Sequence, residues 1–141
     1  MDTPAARVAV LAARVARLAT VAADGRPHLV PVTFALVTSA PLGDVVYSAV
    51  DHKPKRTTAL RRIANIRATG RACLLVDGYG EDWSALWWVR LDGPGRVVTD
   101  TGEAGRAIAA LCDKYHQYAG RPPAGPVLAI DVRRWTAWSA S

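Results

Sequence analysis

The sequence predicts a mainly β protein with helices, in which a mostly antiparallel sheet closes into a barrel. Two observations carry this. Six or seven short strand-like runs are separated by tight-turn residues, and three helical segments fall at scattered positions that do not alternate with the strands as a parallel sheet requires. The 141 residues suit one domain, 1–141, around one substantial core.

In chain order, Val8, Leu11, Val15 and Leu18 recur at spacings of three and four, which places an apolar stripe on a helix over 4–17. Runs at 18–22 and 26–37 flank Asp24-Gly25, the dipeptide that supplies positive φ in a tight hairpin. In the second run Val30, Val32, Phe34 and Leu36 share the core face, and Leu29, Pro31, Thr33 and Ala35 the other. Pro31 has no N–H to give a ladder, so it marks an edge, a bulge or a place where a ligand lies alongside. A turn at 41–44 leads to a strand over 45–50 and then to the basic loop Asp51-His52-Lys53-Pro54-Lys55-Arg56.

Thr57 or Thr58 caps a helix over 58–68 with Leu60, Ile63, Ala64 and Ile66 inward, closed by Gly70. A strand follows over 71–77, then a loop, then a strand over 83–91 with Trp87, Val89 and Leu91 opposite Leu86, Trp88 and Arg90. Asp92-Gly93-Pro94-Gly95 reads as a reversal from which 96–99 returns as the partner strand. Asp100 and Glu103 form a capping box for a helix with Ala104, Ala107, Ile108, Leu111 and Tyr115 inward, ending near Tyr118. A rigid connector over 120–126 precedes a last strand or strand pair, 127–134 and 135–139.

The formal net charge of +6 favours anionic partners. Seven of the 18 Lys and Arg lie within residues 52–71, which hold no Asp or Glu. The basic loop sits after a strand and before a helix, where cations, amide N–H groups and the positive helix end converge on a phosphate. These charges abut one loop and do not line a groove with interleaved aromatics, so neither nucleic acid nor membrane is the expected partner. Cys73 and Cys112 read as buried free thiols, and no metal site is indicated. Arg7, Arg14 and Arg17 interrupt the apolar stretch that a secretory leader needs, and no transmembrane span appears, so a cytoplasmic protein is expected. Hydrolase elbows, phosphate-loop lysines and paired metal histidines are missing from the sequence, and His28, His52 and His116 are far apart in it, so no catalytic residue is assigned.

The order of motifs resembles a known family. Thr20 with Asp24-Gly25-Arg26-Pro27-His28-Leu29-Val30-Pro31-Val32, then Asp51-His52-Lys53-Pro54-Lys55, then Ala64-Asn65-Ile66-Arg67, Trp87-Trp88-Val89-Arg90 and the C-terminal Trp135-Thr136-Ala137-Trp138-Ser139 are similar to the pyridoxamine 5'-phosphate oxidase-like family, in its branch of coenzyme F-420-dependent (deazaflavin) oxidoreductases. That resemblance implies a six-stranded antiparallel split β-barrel, homodimeric, with two cofactor sites at the subunit interface. It implies that His52, Lys53, Lys55 and Arg56 hold the cofactor's phosphate or acidic tail, that Pro31, Val32 and Thr33 lie beside its ring, and that Trp87 or Trp88 completes the pocket from the other chain. Arg61 is a weaker candidate for the acidic end. The implied activity is hydride transfer between coenzyme F-420, or alternatively FMN, and a small unsaturated organic substrate, with a proton from solvent, His28 or Tyr47. Haem also occurs in the family, and a non-catalytic carrier or sensor is the second reading.

Overall fold

The computed structural model describes residues 1–39, 43–50 and 57–141. The chain forms α1 (Thr3–Ala12), β1 (Ala16–Val21), β2 (Pro27–Val32), β3 (Ala35–Ser39), β4 (Gly43–Ala49), α2 (Thr57–Thr69), β5 (Arg71–Gly78), β6 (Trp87–Val97), α3 (Thr101–Lys114), β7 (Val127–Asp131) and β8 (Arg134–Ser139), with single 3-10 turns at Trp83–Ala85 and His116–Tyr118. Every strand pair is antiparallel, in the order β2-β1-β5-β6-β7-β4-β3, and β8 lies on the far side of β6 from β5.

The architecture follows from β6. Residues 92–95 do not reverse the chain: β6 pairs β5 from Trp87 through Pro94 and then β7 from Gly95 to Val97, so one strand belongs to two sheets. Glycine makes this passage possible, because a Cβ at Gly93 would collide with the Asp131 carbonyl where β7 crosses. The Gly95 amide is also diverted, donating to the Gly70 carbonyl at 2.8 Å at the end of α2. Gly70 holds φ +66°, the left-handed cap expected after that helix.

Two apolar clusters build the interior. Leu18, Val32, Phe34, Val46, Leu74, Val76, Val89, Leu91, Leu128 and Ile130 face inward between the sheets and are capped by Ile63 and Ile66 of α2. On the other side of β4 and β7, Val45, Tyr47, Ala49, Val127 and Ala129 pack beneath Ala107, Leu111 and Tyr115 of α3. β4 is therefore buried on both faces.

Eight strands stand where the resemblance implies six: the run over 26–37 breaks at Thr33-Phe34, the last segment is a strand pair broken at Val132-Arg133, and the runs over 83–91 and 96–99 join in one strand, β6. The first break is clasped by α3 and the turn after it. The Tyr115 hydroxyl accepts from the Phe34 amide at 3.1 Å and faces the carbonyls of Arg14 (2.9 Å) and Phe34 (3.1 Å), while Ser48 donates to the Thr33 carbonyl at 2.8 Å. Lys114 Nζ lies 3.7 Å from the Phe34 ring centroid, and burial, together with the nearby Arg14 charge, lowers that amine to about 8.

Other expectations are corrected. The first helix stops at Ala12, and its apolar stripe is outside: Val8 is 66% and Leu11 51% exposed, while Ala6 and Val10 are buried. The face between them is set by Arg7, which makes a bidentate bond to Asp44 at 2.7 and 3.0 Å. In α2, Ala64 is exposed and Asn65 is inside, donating to Thr20 Oγ1 at 3.1 Å. Trp83–Ala85 form a 3-10 turn capped by Asp82, with Leu86 extended after it, so the strand begins only at Trp87. Both cysteines are free but half-buried. Helix α3 ends at Lys114, and the segment to Tyr118 is a separate turn. No helix among the described residues is long and apolar enough to cross a membrane.

Asp100 caps α3 through the Glu103 amide at 2.7 Å, but the Glu103 carboxylate does not return to the cap. It takes two bonds from Arg96 at 2.8 and 2.7 Å and one from the Tyr47 hydroxyl at 2.6 Å, and Arg96 also holds Asp131 at 2.9 and 3.0 Å. Hydrogen bonding from Arg96 holds Glu103 down to about 2, whereas burial and the Glu103 contact push Tyr47 up to about 12.

Two predictions follow from these groups. Glu103 titrates lower folded than unfolded, so its contribution is complete above pH 4.5 and disappears as pH falls toward 2. Glu103→Gln should lower unfolding free energy by about 1–3 kcal/mol at pH 7 and flatten the acid limb of urea-denaturation stability over that window. Lys114 also titrates lower folded than unfolded, but as a cation, so stability rises with pH from about 8 towards 10.5. Lys114→Met should be more stable than the parent below pH 8 and lose that rise in thermal melts.

Candidate functional site

The sheet of β2, β1, β5 and β6 turns alternate residues outward, and its outer face carries a shallow cavity of about 440 Å³. Register builds its floor. Leu29, Ala19 and Cys73 lie in one cross-strand row, Arg17, Leu75 and Arg90 in the next, and Asp77 with Trp88 in a third. Tyr79, 63% exposed, stands at the rim, and Leu29 is 67% exposed. Arg17 approaches Asp77 at 3.7 Å and Arg90 binds Asp92 at 2.8 Å, so the charges on this face are largely matched. Burial pushes the Cys73 thiol up, which makes it a poor nucleophile.

A second cavity, of about 340 Å³, lies at the break after β2 and is lined by Arg14, Thr33, Tyr115, Gln117 and Tyr118. The Thr33 and Tyr118 hydroxyls are hydrogen-bonded at 2.9 Å, and the Arg14 guanidinium stacks 4.7 Å above the Tyr115 ring. Among the described strands, β2 pairs only with β1, and Thr33, the residue that follows its last position, lines this cleft. A free strand edge, a cation and two phenolic walls suit a planar polar ring.

The expected ring-side residues thus divide. Pro31 is exposed, Thr33 is half-buried in the cleft wall, and Val32 is a core residue only 6% exposed, so its backbone alone could meet a ring. His52, Lys53, Lys55 and Arg56 lie outside the described residues. Trp87 packs against the core and Trp88 looks outward, on the opposite faces that alternation predicts. Both are on β6, separated from β2 by β1 and β5, and neither shares a described cavity with Thr33 within one chain.

Tyr47 is 4% exposed and committed to Glu103, which removes it as a proton source. The sequence pattern does not mark Arg14, Tyr115 and Tyr118 as cleft residues: periodicity places Arg14 on a helix that in fact ends two residues earlier, and Tyr115 in the core alone, although a lone hydroxyl at the end of an apolar stripe signals a polar partner.

Comparisons with known proteins agree with this architecture. The family model described as pyridoxamine 5'-phosphate oxidase matches residues 2–139. Comparison with curated proteins returned no match. Among solved structures, a conserved hypothetical protein of Mycobacterium tuberculosis is similar over 99% of this chain and 86% of its own, with TM-score 0.74 and 20% identity. A FAD-binding protein of Mesorhizobium loti is similar over 100% and 96%, with TM-score 0.71 and 22% identity. The haem storage protein HutZ of Vibrio cholerae is similar over 97% and 93%, with TM-score 0.68 and 16% identity. At these identities the structural likeness speaks for the fold, and the family match covers nearly the whole chain: it belongs to the pyridoxamine 5'-phosphate oxidase family, with that family's split-barrel architecture.

Proposed function

We propose that the protein is a cofactor-dependent oxidoreductase that uses coenzyme F-420 in hydride transfer with a small unsaturated organic substrate. The observation that carries this reading is the end of β2, an edge strand among those described, where Thr33 enters the wall of the cleft of Arg14, Tyr115 and Tyr118. When bound, the cofactor supplies a hydride for an electron-poor carbon. The protein's share is orientation. The Pro31–Thr33 edge would flank the ring, Arg14 would offset negative charge on it, and the tyrosine walls would keep water from one side. Lys53, Lys55 and Arg56, with His52 beside them, would hold the phosphate or acidic tail. With Tyr47 withdrawn, solvent or His28 is left to deliver the proton.

The functional unit is a homodimer. Helix α3 covers the outer face of β4 and β7, whereas among the described residues nothing covers Leu29, Leu75, Tyr79 and Trp88 on the other sheet. A second copy of the same face would bury them and bring Trp88 of one chain toward the β2 edge of the other. A second reading, FMN in place of the deazaflavin or a carrier without turnover, draws on the FAD-binding and haem-storage proteins that share the fold.

Titration with coenzyme F-420 and separately with FMN, followed by tryptophan quenching, tests the cofactor. Micromolar or tighter binding of the deazaflavin alone is expected, with reduction of an activated alkene above background; FMN preference or lack of turnover selects the second reading. The Lys55→Ala, Arg56→Ala double variant should lose roughly 2–4 kcal/mol of cofactor affinity, at about 1–2 per charge-assisted bond, with an unchanged melting temperature. Leu75→Arg should convert a dimer to a monomer in light scattering, because it sets an unpaired cation at the centre of the proposed interface.

A further inference from the structure

Only three of the 18 Lys and Arg are lysines: Lys53 and Lys55 in the basic loop, and Lys114 at the last position of α3. Outside that loop every other such position is an arginine, so residue 114 is where the chain has placed a cation that can lose its proton. Lys114 is half-buried, and its Nζ lies 3.7 Å from the Phe34 ring centroid and 5.4 Å from that of Tyr115. Nζ itself is buried and has no hydrogen-bond partner among the described residues.

The charges around this amine do not compensate it. On the linker between α1 and β1, the Arg14 guanidinium stacks 4.7 Å from the same Tyr115 ring and donates to the Lys114 carbonyl at 2.9 Å, so two cations share one aromatic ring. Neither forms an ion pair with a described carboxylate. Asp113 precedes Lys114 on α3 and is exposed, and the turn that follows brings exposed His116 together with Tyr115 and Tyr118. The junction of β2 and β3 supplies Thr33 and Phe34, which do not titrate, and on β4 and β7 Tyr47 and Asp131 are bound to Glu103 and Arg96. Burial and the Arg14 charge both favour the neutral amine, and an ammonium here would lack the hydrogen-bond acceptors that ring faces do not provide.

The same rings build the Thr33 cleft. Phe34, fully buried, donates its amide to the Tyr115 hydroxyl at 3.1 Å; the Tyr115 ring meets Tyr118 edge-on at 5.7 Å, and the Tyr118 and Thr33 hydroxyls are bonded at 2.9 Å. We infer that Lys114 is a positioning residue for this cleft: as a neutral amine it stays against Phe34 and keeps Tyr115 in place, and as an ammonium it turns out to water and loosens that wall. The way out is short. Lys114 ends α3, where unpaired carbonyls and the negative helix end receive a cation, and its long stem reaches solvent without moving the backbone. The inference deepens the proposed function by giving pH control to the cleft in which that reading seats the cofactor ring, but the state of the cleft is measurable without a ligand.

Phe34 is the only phenylalanine in the chain, so selective 13C labelling of phenylalanine follows its ring by NMR with no assignment step. In the parent the ring signals should titrate with a midpoint of about 8. Lys114→Met should hold the high-pH position throughout, and Lys114→Arg, which stays charged, the low-pH position. His116→Gln should leave the titration unchanged. A flat parent, a titration that survives in Lys114→Met or vanishes in His116→Gln, or a Lys114→Arg spectrum that matches Lys114→Met overturns the assignment. In a second arm the affinity for coenzyme F-420 is compared on either side of the midpoint within each variant, which removes the cofactor's own titration from the comparison. The parent should gain at least about fivefold on the alkaline side beyond any change in Lys114→Met, the lower end of ordinary coupling between sites. An equal pH response in the two overturns the positioning role. Failure of the cofactor to bind at all sinks the proposed function alone, because the Phe34 titration still decides this inference.

Discussion

The uninterrupted passage of β6 between two sheets is the constraint on which the other elements depend. Three neighbours close on a few residues without side chains. The Asp131 carbonyl occupies the space a Cβ would need at Gly93, and Ile66 of α2 and Ala72 of β5 crowd Gly95 at 3.4 and 3.2 Å from where its Cβ would stand. Because β6 does not stop there, β5 and β7 are fixed to one another through it, and the helix end at Gly70 is tied to the same point by the Gly95 amide. Arg96, the next residue along, then spans Asp131 of β7 and Glu103 of α3, so the charge network locks the helix onto the sheet that β6 has just entered. Paired and hydrogen-bonded on nearly every side, these charges add specificity of placement at a small net energetic cost.

This arrangement leaves the two sheets unequal. One has a helix over its outer face and an Ala- and Val-rich surface that admits close packing; the other presents Leu, Trp and Tyr with no described element above them. A large apolar face bordered by matched ion pairs differs from an ordinary solvated surface, where long side chains carry unpaired charge. The division also explains where a ligand could enter. The covered sheet is closed, and the Thr33 cleft and a smaller cavity at His28, beside α2, lie at the two ends of the uncovered sheet's edge strand.

Local chemistry was legible in the sequence wherever one residue type had one physical use. Gly25 takes φ +88° in the hairpin turn, Gly70 closes α2, and Asp100 caps α3, all as their residue types require. Alternation separated Trp87 from Trp88 and placed Val30, Val32 and Phe34 inward. The failures share a cause, which is that a nonlocal partner decided between two locally equivalent readings. Gly93-Pro94-Gly95 serves a turn or a close crossing equally well, and only the Asp131 carbonyl selects the crossing. Val8 and Leu11 make as good an inner stripe as Ala6 and Val10 until Arg7 finds Asp44 on β4. Glu103 stands at the right position to complete a cap, but Arg96, thirty-five residues before Asp131 and beside it in space, offers a stronger charge-assisted bond.

The candidate site was less legible than the fold because one short strand supports several surfaces at once. Leu29 and Pro31 point out of the sheet, Val30 and Val32 into the core, Thr33 just past its last position lines the tyrosine cleft, and His28 shares a cavity with α2. These assignments rest on register. The turn sets it: the Gly25 amide donates to the Ala22 carbonyl and the Ala22 amide to the Arg26 carbonyl, both at 2.9 Å, which aligns Thr20 with His28 and Leu18 with Val30. A slip of one residue would carry Leu29 into the barrel, expose Val30 and Val32 and turn His28 away from Arg61. The hydrophobic cost of burying the wrong face therefore protects the polar features, which have little energy of their own with which to hold position. In this chain the placement of functional groups is inherited from the packing of Val30 and Val32 and the three-residue turn Ala23-Asp24-Gly25, in which Gly25 alone takes positive φ.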